Sequence, residues 1–414
     1  MQEQRRKVTY RLYPKPKQLE ELERHRALHQ QLYNAMLQQR IEAYRRRRET
    51  VGFAAQCRDI TVLRHEVDEY GALNAQSMQV TAKRLDLAFK AFFRRVRDGA
   101  ARAGFPRFKS LKRYPGWGYK NHGDGWRLVQ GEGGKHGALR LSGVGLVQVR
   151  GKARNEGEPK TCEILHKNGR WYASVTFVCE PKRASTGAQV VGLDWGVETF
   201  ATVATADGRT KVIENPRNLE RSRCELELSQ RELSRKKRGS NNRRKAARRV
   251  GRIHERIANR RRDFLHKQSA MLVAFACAIV TEELAVKNMT GSAKGTVEEP
   301  GKMVKQKAGL NRSILDTAPA AFLQMLRYKA EEASIAYVEV STKKHAPSQT
   351  CHACGRRAKK TLAERVHRCE CGAACGRDEN AARVLVGLWG REPALCGGAP
   401  LGTPVKQETP AVAA

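Results

Sequence analysis

The sequence predicts an α+β protein of two or three domains, and three patterns in its 414 residues predict it. Apolar residues recur at near-helical spacing over about 17–48 and again over about 72–101. Between about 116 and 180 the pattern changes to short alternating runs separated by Gly-rich turns, which is typical of a small β-barrel or sandwich. A hydrophobic strand over 190–193 then follows a small, polar stretch near 185–188, and this change marks the start of a further domain.

The first elements are a strand and a group of helices. The alternation in Val8–Leu12 predicts a short strand, which Pro14 and Pro16 end. The two helical segments that follow carry many charges between their apolar residues, so we expect them to pack together as a bundle.

Helices are also predicted in the second half of the chain. Residues 219–262 are helix-forming and strongly basic, and an apolar helix is predicted over 264–277. A further helix is predicted over 313–333 and a strand over 336–340. Beyond Gly390 the chain is rich in Gly, Pro and Ala, so we expect it to be disordered.

The net charge indicates a polyanionic partner. The chain has 79 Lys and Arg residues against 42 Asp and Glu, a formal net charge of +37, which exceeds what solubility needs and points to nucleic acid. The first residues lack the apolar stretch of a signal peptide, and the longest apolar run, 270–280, is too short to span a bilayer. We therefore expect a cytoplasmic, nucleoid-associated protein without a membrane partner.

Three carboxylates lie at the ends of apolar segments. Asp194 ends the hydrophobic strand, Glu282 ends a second apolar run, and Asp378 precedes a helical apolar stripe. Taken singly, they are interpreted as a turn residue, a solvated strand end and a helix N-cap. Cleavage of a phosphodiester by two Mg²⁺ ions about 4 Å apart needs several carboxylates from different segments, which these three could supply. Spacing in the sequence leaves open whether they converge.

Five of the eleven cysteines fall between positions 351 and 375. In a reducing compartment such a cluster indicates metal ligands rather than disulfides. The two-residue spacer between Cys351 and Cys354 lets both thiolates reach one ion, and the glycine that follows permits the turn. Cys369 and Cys371 form a second pair with a one-residue spacer, so we expect one structural Zn²⁺ held by these four cysteines. The alternatives for a ligand position are Cys375, His352 and His367.

With these residues in view, the chain resembles the TnpB family of transposon-encoded RNA-guided nucleases over about residues 5–389. Gly192–Gly196 is similar to the family's first RuvC motif, Glu282–Met289 to the second and Arg377–Ala382 to the third. Other stretches resemble the family in the same order along the chain: Phe92-Phe93, 104–109, 233–240, 262–267, Tyr328-Lys329 and 347–351. By this match Asp194, Glu282 and Asp378 are the catalytic carboxylates and the ligands of two Mg²⁺ ions.

The resemblance also implies an architecture. An N-terminal β-barrel, the wedge, carries an inserted helical recognition lobe and is followed by an RNase H-like (RuvC) α/β nuclease domain with an inserted zinc knuckle. The implied segments are a first barrel strand 1–14, the helical lobe 15–112, the remaining barrel 113–184, the nuclease domain 185–345 with basic helices 219–265, the knuckle 346–375, the last nuclease segment 376–390 and a disordered tail 391–414. The chain departs from the family at Glu283, where Asp is usual, and in the short spacer of the second cysteine pair.

A family member would bind a guide RNA transcribed from the transposon end and cleave double-stranded DNA beside a short motif. The resemblance also implies that it acts alongside a separate transposase. A nuclease-inactive RNA-guided repressor is the first alternative, although such relatives typically lose one or more of the acids. A miniature type V CRISPR effector would share all these motifs. A strand-transferring transposase is a further alternative, but no His-hydrophobe-His pair with a catalytic Tyr is evident.

Basic residues over 235–262 predict phosphate contacts, because a solvated helix normally mixes charges of both signs and this stretch holds one acid, Glu255. The residues proposed for this contact are Arg235, Lys236, Lys237, Arg238, Arg243, Arg244, Lys245 and Arg248. Gln79 aligns with a family glutamine implied in reading the motif, and its other interpretation is an ordinary polar helix residue. A second contact, with nucleic-acid backbone and stacked bases, is suggested by three basic residues beside two aromatic ones: Lys109, Lys112 and Arg113, with Trp117 and Tyr119. The alternative is that the two aromatic residues belong to the core of the barrel.

Overall fold

The computed structural model describes residues 4–100, 102–132, 135–152, 157–180, 187–361 and 363–391. The chain divides into two units, Met1–Pro181 and Lys182–Ala414. The predicted disordered tail and the predicted domain boundary near 185–188 lie largely outside the described residues. No helix in the described part of the chain combines the length and the apolar character needed to cross a membrane.

Seven strands of the first unit form one antiparallel sheet. In chain order they are β1 (Gln4–Tyr13), β2 (Gly116–Tyr119), β3 (Trp126–Gln130), β4 (Lys135–Leu141), β5 (Gly145–Lys152), β6 (Glu158–Lys167) and β7 (Arg170–Cys179). Their spatial order is β2-β6-β7-β1-β5-β4-β3, so the strand made first lies in the middle of the sheet.

The sheet curls around a single apolar core. The two edge strands β2 and β3 both contribute to it, through the buried side chains of Trp117 and Trp126. Tyr10 from the central strand and Trp171 from β7 lie in the same core. Among the described residues no pairing joins β2 to β3. The predicted β domain is therefore present as a curled sheet, and its closure into a barrel stays a prediction.

Four helices lie between β1 and β2: α1 (Pro16–Arg47), α2 (Phe53–Glu66), α3 (Asp68–Gly71) and α4 (Ala75–Arg97). Helix α1 begins at a proline, and the Gln18 side chain accepts from the Lys15 N–H at 3.0 Å. Asn74 caps the N-terminus of helix α4, where its side chain accepts from the Ser77 N–H. The helices share a core of their own in which Leu37, Met78 and Leu85 are fully or almost fully buried.

The second unit is built on a five-stranded mixed sheet. Its strands are β8 (Gln189–Trp195), β9 (Thr199–Thr205), β10 (Thr210–Glu214), β11 (Ala276–Glu282) and β12 (Ala336–Val340), in the order β10-β9-β8-β11-β12. Strands β8, β9 and β10 pair antiparallel, whereas β8, β11 and β12 pair parallel. The remaining elements are α5 (Arg223–Arg235), α6 (Asn241–Phe275), α7 (Val286–Met289), α8 (Val304–Thr317), α9 (Pro319–Glu332), α10 (Thr342–His345), a hairpin of β13 (Val366–Arg368) and β14 (Ala374–Gly376), and α11 (Arg377–Arg391).

Two helix predictions in this unit were wrong. The second part of the basic segment 219–262 and the apolar helix predicted over 264–277 form one continuous helix of 35 residues, α6, whereas the first part of that segment forms α5. The helix predicted over 313–333 is two helices, because Pro319 disfavours a helical conformation at the residue before it and Ala318 adopts a φ of 50°.

Candidate active site and metal centre

Asp194 and Glu282 end two neighbouring parallel strands. Leu193 of β8 pairs with Thr281 of β11, and the Thr281 hydroxyl donates to the Leu193 carbonyl at 3.1 Å. The residues that follow, Asp194 and Glu282, therefore stand at the same level on strands about 4.8 Å apart. The sequence folds this way because both strands are apolar and buried up to these acids.

Asp378 lies in the first turn of α11, which packs on β8 and β11. The contact is close: a Cβ placed on Gly192 would lie 2.1 Å from the Ala382 carbonyl oxygen and 2.9 Å from the Val386 nitrogen. Asp378 precedes Ala382 by four residues and so shares its face of the helix. The helix thus presents Asp378 toward the end of β8, where Asp194 lies.

The three carboxylates interact electrostatically. Burial raises the pKa of Asp194 well above its usual range, and the charges of Glu282 and Asp378 raise it further. Burial also raises the pKa of Glu282, whereas the Arg377 guanidinium lowers the pKa of both acids. Carboxylates held together against their repulsion suit a hard divalent cation.

The four predicted cysteines come together. The sulfurs of Cys351, Cys354, Cys369 and Cys371 all lie within 4.8 Å of one another, with 3.7 Å between the first and the last and 3.6 Å between the middle two. A tetrahedral ion with metal–sulfur bonds of about 2.3 Å separates its sulfurs by about 3.8 Å, so these thiols fit Zn²⁺. The one-residue spacer of the second pair does not prevent the approach.

The alternative ligands are one cysteine outside the cluster and two histidines beside it. Cys375 lies in β14, opposite His367 of β13, and is outside the four-sulfur group. His352 and His367 each have a ring nitrogen within 4.8 Å of the Cys351 sulfur, and their Nδ1 atoms contact Asn380 and Lys360. Burial raises the pKa of Cys351, yet the main-chain N–H of Cys354 and the His367 side chain outweigh burial and bring this pKa to about 5. Such a thiol is ready to ligate.

Helices α5 and α6 form a hairpin with a basic surface. Leu226, Ile253 and Ile257 pack along its apolar seam. Two arginines pair with acids of α5, Arg249 with Glu232 at 3.5 Å and Arg256 with Glu225 at 2.9 Å. Of the residues predicted to contact phosphates, those with exposed side chains are Arg235, Lys237, Arg238, Arg244, Lys245 and Arg248.

Two predicted contact residues have structural partners. The half-buried Arg243 donates to the carbonyls of Leu233 and Lys236 at 2.7 and 3.1 Å, and thereby closes the loop between α5 and α6. The Lys109 ammonium lies 4.8 Å from the centre of the Tyr33 ring, and burial lowers its pKa. Gln79 lies half-buried on α4.

The suggestion that Trp117 and Tyr119 stack on bases was wrong. Their side chains are 0% and 2% exposed and belong to the core of the curled sheet. Strand β2 alternates in sequence between these aromatic residues and glycines, so both rings point to the same, inner face.

Comparison with known proteins matches most of the chain. The family model described as a probable transposase, OrfB of IS605, matches residues 173–293, and the model of a Cas12f1-like TNB domain matches residues 320–385. InsQ of Escherichia coli (strain K12), named as an RNA-guided DNA endonuclease, is 34% identical over 340 residues, which cover 81% of this chain and 79% of InsQ. An RNA-guided DNA endonuclease of Streptomyces pristinaespiralis, so named, is 32% identical over 409 residues, which cover 96% of this chain and 92% of that protein.

The chain belongs to the TnpB family.

The fold is shared with Cas12f1. The cryo-EM structure of a Cas12f1–sgRNA–target DNA complex matches with a TM-score of 0.54 at 12% identity, covering 88% of this chain and 81% of that chain. A third family model, described as a helix-turn-helix domain, matches residues 1–49. The described part of this segment in the TnpB-family protein differs from that description, since it forms the strand β1 and one helix of 32 residues.

The sequence analysis assigned no role to two residues of the site, although both lie in the stretch that resembles the third RuvC motif. Arg377 is the cation that acts on Asp194 and Glu282, and apolar periodicity does not distinguish it from other arginines. Asn380 is fully buried at the start of α11. Its signal was available, because Asn380 lies four residues before Val384 and so continues the apolar face of this helix.

Proposed function

We propose that this protein is an RNA-guided, Mg²⁺-dependent endonuclease that cleaves double-stranded DNA beside a short motif. The observation that carries the proposal is the meeting of Asp194, Glu282 and Asp378 at one end of β8 and β11, where burial and mutual repulsion raise the pKa of Asp194. The names of InsQ and of the Streptomyces relative support guided DNA cleavage.

The three carboxylates would hold two Mg²⁺ ions, which would activate a water molecule and stabilise the leaving oxygen. Asp194 is central to the site, because its carboxylate interacts with both other acids. Arg377 lowers the pKa of Asp194 and Glu282 and so favours the ionised forms that bind metal. Gly192 lets α11 approach closely enough to bring in Asp378.

Finer features of the architecture follow from the same proposal. The five-stranded sheet, with its acids on β8 and β11, would be the RNase H-like (RuvC) nuclease domain, and the curled seven-stranded sheet would be the wedge barrel with the helical recognition lobe inserted. The four-cysteine cluster would hold one structural Zn²⁺ ahead of the last nuclease helix.

The partners would be a guide RNA from the transposon end and the DNA target of that guide. The protein would act alongside a separate transposase. The exposed cations of the α5–α6 hairpin would contact phosphates of the RNA. Gln79 and Lys109, on and after α4, would lie toward the DNA motif, where a glutamine can bond an adenine edge. The implied location is the nucleoid.

The test is to express the protein with its native flanking DNA, sequence the RNA that co-purifies, and offer the particle a guide-matched plasmid library with a randomised adjacent motif. We expect Mg²⁺-dependent depletion of one motif class, and no depletion with Asp194→Ala although RNA binding persists. A defined bound RNA with no depletion under any divalent ion would reject nuclease activity and favour the repressor.

A further inference from the structure

Asn380 makes an unusually complete set of hydrogen bonds for one side chain. Its Nδ2 donates to the Thr350 carbonyl at 2.7 Å and to the Pro347 carbonyl at 3.4 Å. Its Oδ1 accepts from the His352 main-chain N–H at 3.1 Å and lies 3.0 Å from Nδ1 of the His352 ring. The side chain is 0% exposed, so no solvent replaces any of these partners.

These contacts need a carboxamide. Two acceptors and two donors face the side chain, and only an amide offers both two N–H donors and an acceptor oxygen at this size. An aspartate of the same shape would set a lone pair against the Thr350 and Pro347 carbonyls. An apolar residue would leave both carbonyls and the His352 N–H without a partner in a buried place.

All four contacts go to one segment, 347–352, which contains the cluster ligand Cys351. The loop between the two cysteine pairs is bonded to the same helix end, since the Arg377 N–H donates to the Arg365 carbonyl at 2.8 Å and its guanidinium to the Thr361 carbonyl at 2.9 Å. The first turn of α11, which carries Asp378, is therefore bonded both to the segment that contains Cys351 and to the loop that joins the two cysteine pairs.

We propose that Asn380 is a positioning residue through which the cysteine cluster orders the first turn of α11, so that zinc occupancy sets how tightly Asp378 and its partner acids bind Mg²⁺. The inference deepens the proposed function and rests on it for the Mg²⁺ step. The ordering role of Asn380 rests only on its hydrogen bonds. Removal of zinc would free Cys351 and thereby the segment 347–352, to which Asn380 is bonded.

The test compares Asn380→Asp with the natural chain, each as the full-length particle with its RNA. With zinc bound, N380D should raise the half-saturating Mg²⁺ concentration for cleavage about tenfold or more, the size typical of residues that orient metal ligands. Hydrogen exchange at the main-chain amides of 381–386 should speed up in the natural chain when zinc is withheld. It should already be fast in zinc-loaded N380D, with little further change on zinc loss.

Asn311→Asp is the matched control. Asn311 on α8 also donates to two main-chain carbonyls, those of Thr290 and Gly291, at 3.0 and 3.1 Å, so it loses the same bonds without touching α11. N311D should leave both the Mg²⁺ dependence and the exchange of 381–386 unchanged. If N380D does not fold, His352→Ala removes one contact to the same amide and should shift both readouts in the same direction by less.

Equal Mg²⁺ dependence and equal exchange in N380D and the natural chain would overturn the inference and leave the nuclease proposal intact. Exchange that changes as expected in a particle that cuts no DNA would support the ordering role and reject the nuclease. An N311D effect as large as that of N380D would show general destabilisation and reject the positioning role.

Discussion

Two aspartates of the second unit have pKa values shifted in opposite directions. Burial and neighbouring acids raise the pKa of Asp194, whereas hydrogen bonds from the Thr205 hydroxyl and the Arg209 main-chain N–H lower that of Asp207. The two aspartates therefore make the free energy of unfolding depend on pH with opposite signs. Ionisation of Asp194 is disfavoured in the folded state, so stability falls as pH rises above its unfolded pKa of about 3.9. Asp207 contributes stability above that pKa, which is lost as pH falls through its lower folded pKa.

We predict that Asp194→Asn raises the melting temperature of the metal-free protein near neutral pH by a few degrees, because it removes a repelling charge and keeps the shape. The gain should shrink in acid, where Asp194 is protonated. Thermal unfolding across pH measures it, and Asp207→Asn should instead lower the melting temperature near neutral pH. An unchanged or lower value for D194N would contradict the electrostatic coupling of the three acids.

The cysteines give a second test with single residues. Cys369→Ser should abolish the bound zinc, because it removes one of four converging sulfurs, and Cys375→Ser should retain one zinc per chain. Elemental analysis of the purified variants provides the count. Loss of zinc from C375S would show that Cys375 is a ligand. Retention of zinc at full occupancy in C369S would show that Cys369 is not one.

At the scale of elements, the packing of α11 on β8 decides whether the site forms. The contact depends on a strand residue without a side chain, Gly192, and on Ala381 and Ala382, which are both 0% exposed. Small residues on both sides let the two main chains touch, so the helix has little freedom to adjust.

Gly192→Ala should therefore abolish cleavage while RNA binding remains, since its new methyl group would displace α11 and Asp378 from the sheet. Gly387→Ala is the control on the same helix, where a Cβ meets no atom within 4 Å. The control should be neutral or more stable, by up to about 1 kcal/mol. Cleavage and RNA-binding assays with both variants separate the outcomes, and full cleavage by G192A would show that α11 can move.

The α5–α6 hairpin allows a test of its two kinds of arginine. Substituting alanine for both Arg238 and Arg248, which are exposed and outside the hairpin's ion pairs, should weaken RNA binding and reduce the slope of log affinity against log salt by about 1.5. The same change at Arg249 and Arg256, which pair with Glu232 and Glu225, removes equal charge and should reduce the slope less. Equal slopes would mean that net charge alone binds the RNA.

At the scale of the whole molecule, the formal charge of +37 favours the binding of a polyanion. Exposed cations without acidic neighbours repel one another in the free protein. A resident RNA would remove this repulsion and add its binding free energy to the folded state.

We predict that the guide RNA raises the melting temperature of the protein, and that the rise becomes smaller as salt increases because phosphate contacts are screened. Thermal unfolding with and without RNA, over a salt series, measures this. An unrelated RNA of equal length controls for charge, and an equal rise with that RNA would show that binding is not selective.

The sequence predicted most elements, but not the contacts that join them. Strands such as 336–340 were predicted because apolar runs identify them, and the carboxylates were chosen because each ends such a run. Arg377 and Asn380 lie in the stretch that resembles the third RuvC motif, and periodicity places Asn380 on the buried face of its helix, but the partners of both residues lie far along the chain and could not be predicted from local patterns. The fate of Trp117 was uncertain for a related reason: an aromatic residue between basic residues suits both a core and a nucleic-acid surface until the sheet around it is known.

The central place of β1 in its sheet has a consequence for synthesis on the ribosome. Lys7 pairs with Thr176, so the strand must wait for about 170 further residues before this partner exists. At about 5–20 residues per second the delay is on the order of ten to thirty seconds, during which α1–α4 can already form. Arg5, Lys7 and Arg11 share one face of the strand, and their repulsion would discourage two nascent chains from pairing through it.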